Sequence, residues 1–281
     1  MEVHVAIAGI AKMTPRALRV GVMTEAAMAG GIPWRLENGG CAALPLPGDA
    51  SIASVARAHV SSLLPALGLT VTDVDDVSLM VSELATNVLQ HAIPHGGCAK
   101  AELWVYQRGD GNGHDELVVK AFDTLREWRG APEASGRMRE HGRGLEIIDI
   151  LARGRWGHHP SRSRLSSPAL RGKATWFALP NPRTRIARRR RHARTPVGEA
   201  QAAKVLRSLL VQRGMNRFTV RHEPGVSVLS AEDDLTVRCE GGTFRWHART
   251  GECGELPVAD ITEVCEQLVR LSEAMDDVHV V

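Results

Sequence analysis

The sequence predicts an α+β protein in which a two-layer α/β sandwich is followed by a second, smaller α+β domain. Apolar residues recur at helical spacing at Val77, Val81, Leu84 and Val88, which indicates an amphipathic helix with one face towards a core. The run ELVVKAF from Glu116 to Phe122 is instead short and mostly apolar, as is typical of a buried strand. With 281 residues and 43% hydrophobic content, the chain can bury one ample core and one smaller core.

The amphipathic helix also carries a polar pair. Asp73 is predicted to cap its N-terminus, with Asp76 in the position of a capping-box partner. Glu83 and Asn87 lie four residues apart, so a carboxylate and an amide emerge on one face. Gln90 follows on the same side. This pattern is compatible with a functional site or with a solvated polar face, and spacing alone does not separate the two.

Three later segments favour a site. The predicted strand stops at Asp123, which places a carboxylate at a strand end. A polar, glycine-rich stretch then ends in Gly142-Arg143-Gly144 and leads into a predicted helix from Leu145 to Ala152, whose N-terminal amides form a ready anion site. The tetrapeptide Gly172-Lys173-Ala174-Thr175 finally opens a strand that bears a hydroxyl.

In this order, the segments resemble the Bergerat-type ATP-binding fold of the GHKL superfamily. SELATNVLQHA and HGRGLEIIDILA look most like the bacterial anti-sigma-factor serine/threonine kinases and their stand-alone ATP-binding relatives. The resemblance covers about residues 34–180 and implies a mixed sheet covered on one face by helices. It implies a first strand near Trp34 to Leu46, a first helix near Ser51 to Leu67 and a last strand at Trp176 to Leu179.

The resemblance also implies roles for single residues. Asn87 would bind the magnesium that bridges the phosphates, and Glu83 would be the catalytic base or the carboxylate that positions water. Asp123 would accept a hydrogen bond from the adenine amino group, with Thr175 near the adenine or its ordered water. ATP and Mg²⁺ are therefore the expected cofactors. Such a site fits phosphoryl transfer, in which the protein mainly positions groups and stabilises charge.

By the same resemblance, Gly142 and Gly144 would form the hinge and floor of a lid whose amides meet the phosphates. The sequence departs from the family pattern at two places. Gln90 stands where these kinases often have Lys or Arg, and Arg143, Arg137 or Arg139 in the glycine-rich stretch can supply the missing positive charge. Leu125 stands where a glycine commonly follows the adenine-binding aspartate. Both departures weaken the prediction of catalysis more than that of nucleotide binding.

Two classes of function follow. In the first, the chain is an ATP-dependent serine/threonine kinase that regulates transcription by binding a sigma factor and an antagonist protein, and that forms a homodimer as the resembling kinases commonly do. In the second, it is a non-catalytic ATP-sensing module whose C-terminal domain reads the nucleotide state. Residue spacing names no particular partner.

Hydropathy and cysteine usage predict a cytoplasmic protein. No apolar run reaches the 18 residues of a membrane span, and the N-terminus lacks a signal-peptide pattern. The five cysteines are irregularly spaced and are expected to be reduced. His158-His159 is predicted to lie in a solvated loop.

Residues 181–198 are predicted to be an arginine-rich linker, and residues 1–33 an N-terminal extension. The linker reads either as a self-repelling spacer or as an electrostatic contact with nucleic acid or an acidic partner through Arg188 to Arg191. Residues 199–281 are predicted to form the small α+β domain, whose role is interaction or regulation. Its expected elements are a helix, four short strands and a final helix through about Met275: Glu199 to Arg213, Arg217 to Arg221, Val226 to Ser230, Leu235 to Cys239, Thr243 to His247, and the residues after Pro257.

Overall fold

The structure, a computed structural model, describes residues 39–64, 71–92, 100–109, 115–126, 143–181, 198–231 and 235–278. These residues form two five-stranded sheets, each with its own apolar core. None of the described helices is long and apolar enough to cross a membrane. The two antiparallel sheets and the helices packed on them confirm the predicted α+β class.

The first sheet has the strand order β1-β2-β3-β5-β4, and every neighbouring pair in it is antiparallel. The prediction of a mixed sheet, which the resemblance implied, is therefore wrong for the described strands. The strands are β1 (Cys41–Leu46), β2 (Ala101–Gly109), β3 (Asp115–Asp123), β4 (Trp156–Arg162) and β5 (Arg171–Asn181).

Three helices cover one face of this sheet: α1 (Ile52–Leu63), α2 (Val71–His91) and α3 (Arg143–Ala152). Their apolar faces and the inward residues of the strands form one core, in which Ile52, Met80 and Phe177 are fully buried. Burial of this kind stabilises a side chain by about 1.5–3 kcal/mol. The core holds α2 and α3 against the ends of β3 and β5.

Two local predictions on this unit are wrong. Helix α2 already begins at Val71, so Asp73 lies in its first turn, where a carboxylate favours the helix dipole, and not at the N-cap. His158 and His159 lie in strand β4 and not in a loop. Strand β4 is an edge strand, which is why it tolerates Pro160. The predicted start of the first strand at Trp34 and the end of the first helix at Leu67 lie outside the described residues.

The second sheet is an antiparallel meander with the order β10-β9-β8-β7-β6, packed against helices α4 and α5. Gly214 follows α4 with a φ of 74°, the left-handed conformation that glycine adopts most readily. The elements agree with the prediction except for β10, which was not anticipated: α4 (Glu199–Gln212), β6 (Phe218–Glu223), β7 (Val226–Ala231), β8 (Thr236–Glu240), β9 (Thr243–His247), β10 (Cys253–Pro257) and α5 (Ile261–Val278).

Helix α5 also packs against the first sheet, on the face opposite α1, α2 and α3. That face carries Trp104, Tyr106 and Phe122, all with 0% exposure. The Tyr106 hydroxyl donates a 2.6 Å hydrogen bond to Oε2 of Glu263 on α5. Trp104 stacks on Phe122 with a centroid distance of 5.4 Å. The two units therefore share a buried interface.

Paired charges dominate this interface. Glu266 accepts contacts from Lys120 (3.1 Å) and Arg164 (2.7 Å) of the first unit, and from Arg213 of the second. Arg108 of β2 bonds to Oε1 of Glu263 at 2.9 Å. Buried carboxylates of this kind are stable only while their partners stay in place.

The charges set the pKa values of the carboxyl groups. Burial alone would raise the pKa of Glu263, but the charges of Arg108 and Lys120 and hydrogen bonds from Tyr106 and Gln267 outweigh burial and lower it to about 2. The pKa of Glu266 is held well below its ordinary value by Arg213, Lys120 and Arg164, again against burial.

We expect the interface to make the protein sensitive to acid. A carboxylate with a lowered folded-state pKa stabilises the fold above its unfolded pKa of 4.5, and that stabilisation is lost as the pH falls towards about 2. For Glu263 the loss is on the order of 3 kcal/mol. Urea denaturation between pH 7 and pH 2.5 should show the free energy of unfolding falling below pH 4.5. Glu263→Gln should flatten this fall, and an equal fall in both proteins would contradict it.

Candidate functional site

The predicted site residues of β3 and β5 lie on the helix-covered face of the first sheet. Side chains alternate between the two faces of a strand, and Ala121 of β3 packs into the helix-side core. Asp123 therefore points to the same side. Ala121 pairs with Thr175, and Asp123 pairs with Lys173, so all four residues share that face. Thr175 is buried, with 8% exposure.

Asp123 is held in a fixed position at the end of β3. Its Oδ1 accepts a hydrogen bond from the backbone amide of Leu125 at 2.9 Å and an ion pair from Nζ of Lys173 at 2.8 Å. The same ammonium donates to the carbonyl of Leu125 at 2.9 Å. Burial raises the pKa of the Asp123 carboxyl, and Lys173, the Leu125 amide and the charge of His91 oppose this rise.

Helix α2 presents a stripe of three polar residues, Glu83, Asn87 and His91, spaced four apart. His91 lies near Asp123, since its charge acts on that carboxyl. Glu83 lies two helical turns earlier, about 12 Å away along the axis. Asn87 lies between them, and both Glu83 and Asn87 are half-buried. The stripe flanks the apolar face of the helix, which is packed in the core, and this explains why Glu83 and Asn87 are only half-buried.

The other end of the stripe meets the start of α3. A Cβ built on Gly144 would lie 2.6 Å from Oε2 of Glu83, so only glycine leaves this carboxylate where it is. Gly144 is the second residue of α3, where backbone amides have no partner within the helix. The structure thus brings Glu83 and Gly144 together, as expected if both serve one site.

Two of the predicted site residues are described only in part or not at all. Gly142 lies outside the described residues, as do Arg137 and Arg139. Arg143 is the first residue of α3, and its side chain is likewise outside what the structure describes. Their roles stay predictions.

Three residues of the site were missed from the sequence. Lys173 holds Asp123 from the adjacent strand, and the antiparallel register of β3 and β5 would have placed it there. His91 continues the stripe of Glu83 and Asn87 at the same spacing. A Cβ on Gly172 would lie 2.0 Å from the carbonyl oxygen of Asp123, so this glycine permits close approach of two backbones. No sequence pattern distinguishes that glycine from a turn former.

The site offers oxygen acceptors and amide donors along one surface. The Glu83 carboxylate on α2 faces the N-terminus of α3, the half-buried Asn87 amide lies one helical turn further along, and the Asp123 carboxylate lies near the far end of the stripe. No cluster of three or more His, Cys, Asp or Glu that could hold a metal by itself occurs among the described residues. Magnesium needs no such cluster, because it keeps several waters and takes one or two protein oxygens plus phosphate oxygens. The side chains of the stripe therefore fit a magnesium-nucleotide complex.

Gly172 and Gly144 should respond differently to alanine. Gly172→Ala forces a backbone clash and should destabilise the protein and displace Asp123, because neither strand can yield easily. Gly144→Ala meets only the end of a flexible side chain, so stability should be kept or rise slightly while the Glu83 carboxylate moves.

Gly198→Ala, where a Cβ meets nothing within 4 Å, is the control for both variants. Thermal unfolding measures the effect on stability, and amide chemical shifts around Glu83 and Asp123 report the displacement. Equal stability of all three variants would show that the strands at Gly172 are looser than the structure indicates.

No protein-family model matches the chain. The chain is 30% identical over 117 residues to the serine-protein kinase RsbW of Halalkalibacterium halodurans, an alignment that covers 38% of this chain and 69% of the relative. The aligned region spans more than two thirds of the relative, and the chain belongs to the family of the serine-protein kinase RsbW.

Proposed function

We propose that the chain binds magnesium-ATP on the helix-covered face of the first sheet, as a Bergerat-type domain, and regulates transcription as an anti-sigma-factor serine/threonine kinase does. One observation carries the proposal. The stripe on α2 runs from Glu83, in contact with Gly144 at the start of α3, to His91 near Asp123. The stripe thereby connects an anion site with an adenine acceptor, the two features that an ATP site requires.

Asp123 is suited to recognise adenine. Both of its hydrogen bonds to the protein described above reach Oδ1, and we assign Oδ2 to the exocyclic amino group of the base. A carboxylate accepts a hydrogen bond from that amine, whereas a lysine could not. Thr175, two residues from Lys173 on the same face, offers a hydroxyl to the base or to a water beside it.

Asn87 and the start of α3 are suited to the phosphates. The Asn87 amide oxygen is a hard donor of the kind that magnesium takes, and the α3 amides near Gly144 favour negative charge. ATP bound here would supply a γ-phosphoryl group, with magnesium offsetting its charge. Arg143, by its position in the sequence, would add a cation beside these amides.

Glu83 is suited to act on the acceptor. Its carboxylate lies against the N-terminus of α3, where the phosphates would end, and it is half-buried. In a kinase it would orient the serine hydroxyl of the partner and accept its proton. The relative is named a serine-protein kinase, which supports serine as the acceptor. The protein partners that we propose are a sigma factor and its antagonist.

A second candidate is an ATP-sensing module with little turnover. Gln90, in the position where these kinases often have a cation, is exposed and neutral. The C-terminal helix α5 contacts Arg126, three residues after Asp123, through an ion pair of 2.8 Å to Glu273. The turn after Asp123 is thereby linked to the helix that packs the second unit, and a sensor would need a link of this kind.

Magnesium-ATP binding tests both candidates. We expect titration calorimetry to detect binding by the wild type, and Asn87→Ala to weaken it about tenfold or more because a magnesium ligand is lost. Asn216→Ala, at an exposed asparagine between α4 and β6, should bind like the wild type. Absence of binding by the wild type would overturn the nucleotide site altogether.

Phosphoryl transfer separates the two candidates. With labelled magnesium-ATP and purified antagonist proteins of this class, a kinase should label its partner, and Glu83→Gln should lower the rate about 10²–10⁴-fold while nucleotide affinity is kept. Glu146→Gln, at an exposed position in the first turn of α3, is the matched control. A wild type that binds ATP and transfers nothing to any antagonist would favour the sensing module.

A further inference from the structure

Glu273 of α5 is the meeting point of three arginines of the first unit. Its side chain has 0% exposure, and Arg126, Arg162 and Arg171 all form ion pairs with it, at 2.8 Å for Arg126 and 2.9 Å for Arg171. Arg126 also donates to the Glu273 backbone carbonyl at 3.1 Å. A buried carboxylate that loses one of several cationic partners becomes less stable where it is. Each arginine is therefore tied to the position of α5.

The three arginines differ in what they are attached to. Arg162 and Arg171 pair with each other across β4 and β5, so they belong to the scaffold of the sheet. Arg126 instead follows the turn that begins at Asp123. Within that turn, the backbone amide of Leu125 donates a hydrogen bond to the side chain of Asp123. Glu273 thus touches rigid strands and the adenine-acceptor turn at once.

The turn is held from both sides of the sheet. On the helix side, Lys173 bonds to Oδ1 of Asp123 and to the Leu125 carbonyl. On the opposite side, Arg126 bonds to Glu273 in two places. Because Leu125 lies between these two anchors, loss of either one frees the backbone that sets the direction of the Asp123 carboxylate.

We propose that Glu273 is a positioning residue for the nucleotide site, and that through Arg126 it couples docking of α5 to binding of an adenine nucleotide. The inference rests on the proposed function, since it takes Asp123 as the adenine acceptor. Coupling of this kind is reciprocal: nucleotide binding stabilises the docked helix by the same factor by which docking raises nucleotide affinity. The C-terminal unit is then part of the site without touching the ligand.

The test compares Arg126→Met with Arg171→Met. Both variants remove one cation from the same buried carboxylate, but only Arg126 belongs to the turn. We expect similar losses of thermal stability, with magnesium-ATP affinity lowered about fivefold or more in Arg126→Met and within about twofold of wild type in Arg171→Met. Equal affinities in the two variants would overturn the inference while leaving the proposed function intact.

A double-mutant cycle excludes a direct contact between Arg126 and the nucleotide. If Arg126 acts through Glu273, then Arg126→Met combined with Glu273→Gln should bind ATP no more weakly than the weaker single variant. Additive losses would mean that Arg126 acts independently of Glu273, which would overturn the positioning role.

Hydrogen exchange without nucleotide gives an independent readout. The Leu125 amide, which donates to Asp123, should exchange faster in Arg126→Met than in Arg171→Met. If the wild type fails to bind ATP, the proposed function falls, and this comparison decides whether Arg126 positions the turn. Equal exchange rates would overturn the inference on that ground.

Discussion

The structure depends on a buried ionic contact between α5 and the open face of the first sheet. Glu263, Glu266 and Glu273 emerge from one helix and each has 0–3% exposure. Charges removed from water to this extent cost several kcal/mol each unless they are paired. Their cationic partners come mostly from the first sheet, so neither face is complete without the other. The helix is consequently a structural part of the first unit, although it follows the second sheet in sequence.

This contact has consequences for assembly. Trp104, Tyr106 and Phe122 are fully buried beneath α5, so the face of the sheet opposite the helices has an occupant within the same chain. A homodimer, which the resemblance leads us to expect, would have to use another surface. Because α5 covers this face, the C-terminal unit has a structural role in the first unit. The sequence alone predicted only interaction or regulation for it.

The sequence predicted the elements that show an apolar face or a largely apolar run, and it missed strands in which charged residues or prolines interrupt the apolar pattern. Helix α2 was recognised from the helical spacing of its apolar residues, and strand β3 from its short, mostly apolar run. Strand β2 was not, because Glu102 and Arg108 look like surface residues until the partners Arg164 and Glu263 are known. Edge strands β4 and β10 contain prolines that read as loop residues.

Around the candidate site, residues that a local sequence pattern marks were predicted, and residues whose place depends on neighbouring elements were not. Glu83 and Asn87 were predicted from helical spacing, and Asp123 from its place at a strand end. Gly144 was predicted from the loop that precedes α3, and in the structure it lies beside Glu83. Lys173, Gly172 and Arg126 were not found because their roles depend on which strands and helices become neighbours. The predicted ends of the N-terminal extension at residue 33, of the first domain at residue 180 and of the linker at residue 198 stay predictions.

Leu125 is one of the departures from the family pattern, and the structure shows what it does. A glycine at this position would leave the turn after Asp123 free to change conformation, whereas Leu125 packs its side chain against the helix-side core. Its amide and carbonyl are both bonded, to Asp123 and Lys173. Asp123, the proposed adenine acceptor, is thereby fixed in the absence of a ligand, which would lower the entropic cost of binding a nucleotide there. In the proposed site, this fixed turn continues through Arg126 to Glu273 of α5, so a nucleotide bound at Asp123 would be linked to the packing of the C-terminal unit.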